Sequence, residues 1–370
     1  MSGDPVRLLR HPGPIDAYPL EPSDDELAAS LGLPPERIVR YDLNTLGGGP
    51  LPGVRDAWEA WDPGKAVEYG DLGYRRLREA LGRAVGVAPH RIIPGAGADE
   101  LIRLVTTSVV GPGDGVVIAA PTFPMFAVEA GLAGARVHPI VREHPGTRQT
   151  PGAIRSLVEE TASRLAWICS PNNPTGDAHP LAELRQIADG LEAIVAIDQV
   201  YLEFAEASGA EALDAIGLQD DLDNVLVLRS MAKAYGLAGA RIGYLVVPEA
   251  LAARFDALRL PLSVGAATEA LALGALSDPA AHDRHLAIVA ERDRLAGVAR
   301  NLGCEVLEGL GNFVTFRAPD ATSLAAALMR RGLVLREFAA SGPMGGWLRA
   351  TARAADENDL LIAALTEELG

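Results

Sequence analysis

The sequence has few residues that could cross-link it or hold a structural metal. It contains two cysteines, Cys169 and Cys304, and seven histidines in 370 residues. Two cysteines are too few for a disulfide framework, and the spacing of cysteine and histidine resembles no zinc site. We therefore expect two buried thiols and no bound metal.

Positive charge and long apolar runs are also scarce. The formal net charge is -16, and no run of five basic residues occurs, which argues against nucleic acid as a partner. No stretch approaches the roughly 18 uninterrupted apolar residues of a membrane span, and the N-terminus lacks an apolar signal-peptide core. These absences predict a soluble, cytoplasmic protein with no membrane partner.

Lysine is the scarcest charged residue. The sequence has 33 basic side chains, of which only Lys65 and Lys233 are lysines. An arginine cannot lose its proton in a protein, whereas a lysine amine can become neutral and attack a carbonyl. Lys233 is therefore either a nucleophile or one of two leftover surface lysines, and composition alone does not choose between them.

Short apolar runs alternate with helical patterns between about residues 90 and 250. The runs are apolar nearly throughout, as strands covered on both faces should be. Helices are predicted over 98–110 and 179–191, with Pro180 suited to a first helical turn. We predict an α/β fold with a mostly parallel, seven-stranded type of sheet. The predicted strands are 115–120, 165–170, 193–198, 224–229 and 241–247, with a further run near 92–94.

Changes in composition and pattern along the chain predict three parts. Residues 1–40 form a proline-rich arm with one helix, for which Ser23 is the expected N-cap. Residues 41–260 form the large α/β domain. Residues 261–370 form a smaller α+β domain of long helices with two short strands, near 304–318 and 332–338.

Residues that suit a ligand follow the predicted strands, at the edge where parallel sheets bind ligands. The turn GAGADE at 95–100 opens a helix whose N–H groups could hold a phosphate. Phe123 is a candidate for stacking on a ligand ring, although an aromatic side chain more often packs in the core. Asp198 closes an apolar strand, which is costly unless a cation meets it. Ser230 and Lys233 follow the next strand. Each of these features could also have a purely structural role.

One ligand, pyridoxal 5'-phosphate, would explain why these residues follow strands at the same edge of the sheet. It has a phosphate, a flat ring, a ring nitrogen and an aldehyde. The sequence resembles the class I and II aminotransferases of fold type I, and within them the histidinol-phosphate aminotransferases. The motifs SPNNPTG (170–176), AIDQVYLEF (196–204) and SMAKAYGLAGARIGY (230–244) carry the resemblance in the family's order and spacing. It extends over nearly the whole chain.

The resemblance implies roles for the cofactor end. Lys233 would bond to the cofactor aldehyde and shuttle a proton, and Asp198 would face the ring nitrogen. Tyr201 and Asn173 would contact the phenolic oxygen, while Phe123 would stack on the ring. The implied phosphate contacts are the N–H groups of Ala98 and Asp99, the Ser230 hydroxyl, Arg241 and, across an obligate homodimer interface, Tyr69.

The resemblance also implies a substrate end and two partners, an amino donor and a 2-oxo acid acceptor such as 2-oxoglutarate. Arg349 and Asn173 would bind the substrate carboxylate. Arg336 and Tyr18 match residues that bind the substrate phosphate in histidinol-phosphate aminotransferases, an activity of histidine biosynthesis.

Two departures concern the substrate more than the reaction. Residues 44–50 read Asn-Thr-Leu-Gly-Gly-Gly-Pro where the family usually has Asn-Glu-Asn-Pro before Gly-Pro, and Gln199 stands where Glu is common. An aromatic amino-acid aminotransferase and a threonine-phosphate type of decarboxylase are therefore kept as alternatives. A transcription regulator would need a helix-turn-helix segment ahead of the core. A dinucleotide site is poorly supported because Glu100 stands where its fingerprint needs glycine.

Overall fold

The computed structural model of the protein describes residues 21–370, so Tyr18 lies outside the described residues. The strands are β1 Val39–Arg40, β2 Ile92–Gly95, β3 Gly115–Ala120, β4 Arg136–Val141, β5 Ser163–Cys169, β6 Ile194–Asp198, β7 Val225–Ser230, β8 Gly243–Val246, β9 Glu305–Val306, β10 Phe313–Arg317, β11 Leu333–Val334, β12 Arg336–Glu337 and β13 Trp347–Thr351. The helices are α1 Asp24–Leu31, α2 Pro52–Glu59, α3 Arg75–Val85, α4 Ala98–Val109, α5 Met125–Leu132, α6 Pro151–Glu160, α7 Leu181–Ala188, α8 Leu202–Ala207, α9 Glu249–Leu258, α10 Ala266–Leu276, α11 Ala280–Asn301, α12 Ala321–Arg330 and α13 Ala355–Leu369.

A seven-stranded sheet forms the centre of the large unit, in the order β2-β8-β7-β6-β5-β3-β4. All strand pairs are parallel except those of β8, which runs antiparallel to both β2 and β7. The predicted α/β class and the mostly parallel sheet are confirmed. Helices pack on the sheet, and the central strands β5, β6 and β7 are buried along most of their length.

The edge strand β4 was not predicted, because its residues are exposed or half-buried and include Arg136 and His138. The ends of two other elements differ slightly from the prediction. Helix α7 begins after Pro180, which is its N-cap and lies outside the first turn. Strand β8 begins at Gly243, because Arg241 has a left-handed backbone with φ 56°.

The small unit contains more strands than the two predicted. Its antiparallel sheet has the order β12-β13-β10-β9 and packs against α11 and α12, and α13 packs on these two helices. Strand β13 was missed, because it is a short strand preceded by two glycines and its Trp347–Thr351 sequence mixes arginine with apolar residues.

The described part of the arm packs on the small unit. Ser23 caps α1 as predicted, and its hydroxyl and the Glu26 carboxylate form a capping box. Strand β1 pairs with β11, and Leu27 and Ile38 pack against Val334. Helix α10 packs on α2 and α3 of the large unit. Helix α10, which follows the predicted boundary at 260/261, therefore lies on the large unit, and the boundary itself stays a prediction.

Candidate active site

A cavity of about 430 Å³ opens at the carboxyl edge of the large sheet, where the small unit and the arm meet it. The ends of β5, β6 and β7 contribute Cys169, Asp198 and Ser230 to its wall. The small unit contributes Arg336 and Arg349 from neighbouring strands. The remaining predicted residues on the wall are Ala98, Asp99, Phe123, Asn173, Tyr201, Lys233 and Arg241.

Lys233 lies in the turn after β7 and points into the cavity. Its Nζ donates to the carbonyl oxygen of Leu43 at 3.0 Å. Burial, together with the nearby positive charges of Arg349 and Arg241, lowers the pKa of Lys233 to about 8 from an ordinary value of 10.5. This amine therefore loses its proton more readily than an ordinary lysine side chain.

Asp198, at the end of β6, is a buried carboxylate that is 2% exposed. Within residues 21–370 the carboxylate accepts one hydrogen bond, from the Val200 N–H to Oδ1 at 3.1 Å. Burial, which outweighs that hydrogen bond, raises the pKa of Asp198 to about 7. A cationic group brought into the cavity would relieve this cost.

The start of α4 forms a cradle for an anion. Gly97 has φ 86°, and a Cβ there would lie 2.6 Å from Arg241 Nη2, so the close approach of the guanidinium requires glycine. The first N–H groups of a helix, here those of Ala98 and Asp99, have no partner within the helix. Ser230 Oγ accepts from the Ala232 N–H at 3.1 Å, which leaves the hydroxyl proton for another acceptor. These groups fit a phosphate.

The Arg241 guanidinium at this cradle pairs with the Asp99 carboxylate, from Nη2 to Oδ2 at 2.8 Å. Both side chains are about half exposed. The Asp99 carboxylate therefore balances the charge of Arg241 at the cradle.

The aromatic wall of the cavity comes from two places. Phe123 packs edge-on against Phe126 at 5.9 Å, and Phe126 in turn stacks on Trp167 at 4.6 Å. Tyr201 packs edge-on against Phe313 at 5.3 Å, which joins the large sheet to β10. Both wall residues are therefore fixed by buried neighbours.

Asn44 was not predicted as a site residue. Its Nδ2 donates to the Tyr201 hydroxyl oxygen at 2.9 Å, and its N–H donates to Thr351 Oγ1 at 3.0 Å. Its backbone is left-handed with φ 54°, a conformation that asparagine tolerates better than most residues. The sequence signal that could have identified Asn44 was its position as the first residue of the altered 44–50 loop.

The rest of that loop is clamped from the small unit. Arg284 Nη2 donates to the carbonyl oxygens of Gly47 and Gly49, both at 2.5 Å. Gly47 lies so close to α13 that a Cβ would approach Glu357 Oε2 to 1.8 Å. The loop therefore fixes Leu43 and Asn44 beside Lys233.

Gln199, the other departure, lies away from the cavity. Its fully buried amide donates to Leu213 O at 2.6 Å and accepts from the Ala215 N–H at 3.0 Å. It therefore anchors the loop after α8 and does not contact the ligand space.

The substrate end contains the two predicted arginines. Arg336 and Arg349 are directly opposite each other in the β12–β13 pair. Arg349 donates to Asn173 Oδ1 and to the Asp42 carbonyl, and its guanidinium lies 5.5 Å from the centre of the Phe313 ring. Arg336 pairs with Glu21, a residue that sequence reasoning missed.

Tyr69 is not brought to this cavity. It is 82% exposed and lies in a separate groove beside Trp61 and Ala266. Its predicted contact with a phosphate across a dimer interface stays a prediction.

Three other sequence predictions concern the described residues. Cys169 and Cys304 are free and buried, as expected. Over residues 21–370, no group of three or more His, Cys, Asp or Glu side chains could hold a metal ion. No helix in the same range is long and apolar enough to cross a membrane.

Comparison with known proteins gives the family. The model of the aminotransferase class I and II family matches residues 40–365. A histidinol-phosphate aminotransferase of Roseiflexus castenholzii is 36% identical over 93% of both chains, and one of Nitratidesulfovibrio vulgaris is 34% identical over 97% of this chain and 96% of its own. The crystal structure of histidinol-phosphate aminotransferase from Sinorhizobium meliloti in complex with pyridoxal-5'-phosphate superposes with a TM-score of 0.84, at 28% identity and 95% coverage of both chains. The chain therefore belongs to the class I and II aminotransferases, and within them it is most similar to histidinol-phosphate aminotransferases.

Proposed function

We propose that this aminotransferase uses pyridoxal 5'-phosphate to move an amino group from histidinol phosphate to a 2-oxo acid such as 2-oxoglutarate, as a step of histidine biosynthesis in the cytoplasm. The observation that carries the proposal is that Lys233, Asp198 and the arginine pair Arg336 and Arg349 line one cavity. The names of the relatives support the substrate.

The cofactor, when bound, supplies an aldehyde that bonds to amines and a ring that accepts electrons from the substrate carbon. The anion cradle at Gly97 would hold its phosphate. Asp198 would sit against its ring nitrogen, where a cationic group would relieve the cost of burying the carboxylate.

Lys233 would act twice. Its lowered pKa of about 8 makes a neutral amine accessible near neutral pH, which is the form that attacks a carbonyl. The same amine would also hold and move a proton at the substrate carbon. Tyr201, held by Asn44, would donate its hydroxyl proton toward the phenolic oxygen.

The substrate end suits an amino alcohol phosphate. Such a donor has no α-carboxylate, and its phosphate carries two charges and three oxygens that two guanidinium groups can share. Arg336 and Arg349 are adjacent across a strand pair and both line the cavity. The acceptor carboxylate would use Arg349, so the same end would serve both half-reactions.

A donor panel tests the substrate. We expect kcat/KM for histidinol phosphate to exceed that for phenylalanine and glutamate, and turnover to require a 2-oxo acid. A preference for phenylalanine would instead indicate an aromatic aminotransferase. Carbon dioxide release without an acceptor would indicate a decarboxylase.

Arg336→Gln sharpens the substrate test. Loss of a charge-assisted contact to the phosphate should lower kcat/KM for histidinol phosphate by about tenfold or more, since such bonds contribute about 1.5–3 kcal/mol. Unchanged turnover in this variant would contradict the assignment of histidinol phosphate.

A homodimer that shares its sites is part of the proposal. Tyr69 and Val67 are each 82% exposed, and Trp58 and Leu72 are exposed beside them on the same segment. This apolar surface suits a second copy of the chain, with Tyr69 reaching the partner's phosphate cradle. Sedimentation of the holoenzyme should give a dimer, and a monomer with full activity would contradict this.

A further inference from the structure

An ion pair closes the outer part of the cavity. Arg336 Nη1, on β12, donates to Glu21 Oε1, in the segment just before α1. The side chains are 24% and 34% exposed, and both line the cavity. The contact therefore joins the arm to the small unit at the proposed phosphate position.

The backbone next to Glu21 is fixed by contacts of its own. The Pro22 carbonyl accepts from Arg40 Nη1 at 2.9 Å, and the same guanidinium binds Asp24 and Asp42 at 3.1 and 2.6 Å. The cap of α1 is made by Ser23 and Glu26 and does not involve Glu21. Glu21 is therefore presented to Arg336 by a segment that stays in place without the ion pair.

The charge arrangement explains why an acid is useful at this position. Arg336 and Arg349 are directly opposite each other, and like charges opposite one another destabilise a strand pair. Arg349 donates hydrogen bonds to Asn173 Oδ1 and to the Asp42 carbonyl. Over residues 21–370, Glu21 is the acidic side chain that forms a salt bridge with Arg336. It supplies the charge that a substrate anion would otherwise supply.

We propose that Glu21 is an internal competitor that occupies the anion position on Arg336 and must be displaced before an anionic substrate binds there. This inference rests on the proposed function, in which Arg336 receives the substrate phosphate, and it names the residue that sets the affinity for that anion. No bond forms or breaks; one carboxylate is exchanged for the incoming anion.

The exchange favours phosphate over weaker anions. An incoming carboxylate would replace one carboxylate with another and gain little at Arg336. A phosphate dianion brings a second charge and enough oxygens to reach Arg349 as well. Glu21 therefore favours the binding of anions that contact both Arg336 and Arg349.

Inorganic phosphate is the probe that tests this proposal. In the holoenzyme the cofactor's own phosphate fills the cradle at Gly97, so calorimetric titration with inorganic phosphate reports on the substrate end. Glu21→Gln should tighten phosphate binding by about fivefold, which is the size of a partly exposed ion pair. Glu21→Asp keeps the charge and should bind phosphate more weakly than Glu21→Gln.

Matched variants separate competition from a general effect of charge. Asp25→Asn removes one acid from the first turn of α1, where the side chain is exposed, and should leave phosphate affinity unchanged. Arg336→Gln should weaken phosphate binding, and adding Glu21→Gln to that variant should bring no further gain. A gain that persists without Arg336 would overturn the proposed competition.

The outcomes also separate this proposal from the proposed function. If Arg336→Gln weakens phosphate binding but Glu21→Gln leaves it at the wild-type value, Glu21 is a structural counter-ion and the competition is disproved while the substrate assignment stands. If neither variant changes phosphate binding, Arg336 is not the phosphate site and both proposals fail.

Discussion

The two ends of the cavity differ in how their charges are satisfied before any ligand binds. At the cofactor end, the Asp198 carboxylate is buried, accepts one hydrogen bond from a backbone N–H and has a raised pKa. Lys233 at the same end has a lowered pKa. At the substrate end, Arg349 donates to Asn173 and to the Asp42 carbonyl, and Arg336 pairs with Glu21. A ligand would therefore stabilise the buried Asp198 carboxylate, whereas Arg336 at the substrate end, like Arg241 at the cradle, would exchange one partner for another.

The ends also differ in origin. Asp198, Ser230 and Lys233 come from the ends of adjacent central strands, so their positions follow from the order of strands in a parallel sheet. The substrate end combines the arm, the 42–44 segment and the β12–β13 pair, which are far apart in sequence. Its geometry depends on packing between units, which local sequence does not specify.

The largest effect should come from the amine itself. Lys233→Arg keeps a positive charge in the cavity but cannot supply a neutral amine, so transamination should fall by at least about a thousandfold. The measurement is a single-turnover assay with the best donor.

Lys65→Arg is the matched control, because it makes the same substitution at the other lysine, which is exposed in a 3-10 helix. It should retain wild-type activity. Comparable losses in the two variants would remove the distinction between the cavity lysine and the surface lysine.

The unsatisfied charge at the cofactor end predicts a pH-dependent gain in stability for Asp198→Asn in the cofactor-free protein. The pKa of Asp198 is about 7 in the folded chain and 3.8 ordinarily, so unfolding releases its proton between about pH 4 and 7. Stability is therefore lost as the pH rises through that window, and the amide avoids the loss. The gain in the free energy of unfolding should be about 2–3 kcal/mol larger at pH 8 than at pH 5.

Denaturant titration at the two pH values measures this gain, with the exposed Asp25→Asn as the control. The same Asp198 variant should bind the cofactor more weakly, because the ring nitrogen loses its charged partner. A gain that is equal at both pH values would show that the Asp198 carboxyl is not strained in the folded chain.

A smaller effect is expected from the loop that joins the two ends. In Gly47→Ala the new Cβ would meet Glu357 Oε2 at 1.8 Å and the Ala354 nitrogen at 2.9 Å, which overpacks the start of α13. We expect a loss of about 1–3 kcal/mol in the free energy of unfolding and a several-fold rise in donor KM, since Leu43 and Asn44 would shift.

Gly217→Ala provides the comparison, because a Cβ at that position has no neighbour within 4 Å. It should leave both quantities near their wild-type values. If Gly47→Ala behaves like Gly217→Ala, the triglycine loop does not position the site.

Sequence reasoning was strongest where a strand ends in a polar residue. The apolar run before Asp198 and the rarity of lysine were both visible without a structure, and both residues lie in the cavity. Arg349 required the family resemblance, because β13 has no clear strand pattern. Asn44 and Glu21 were not found, because their roles arise from contacts with residues more than 150 positions away.

The most direct test of the account is to locate the bond between the chain and its cofactor. Borohydride reduction of the holoenzyme followed by peptide mass mapping should place one reduced cofactor on the peptide that contains Lys233 and none on the peptide that contains Lys65. Label on Lys65, or no covalent label on a protein that remains active, would contradict the central claim that the Lys233 amine holds the cofactor opposite Asp198.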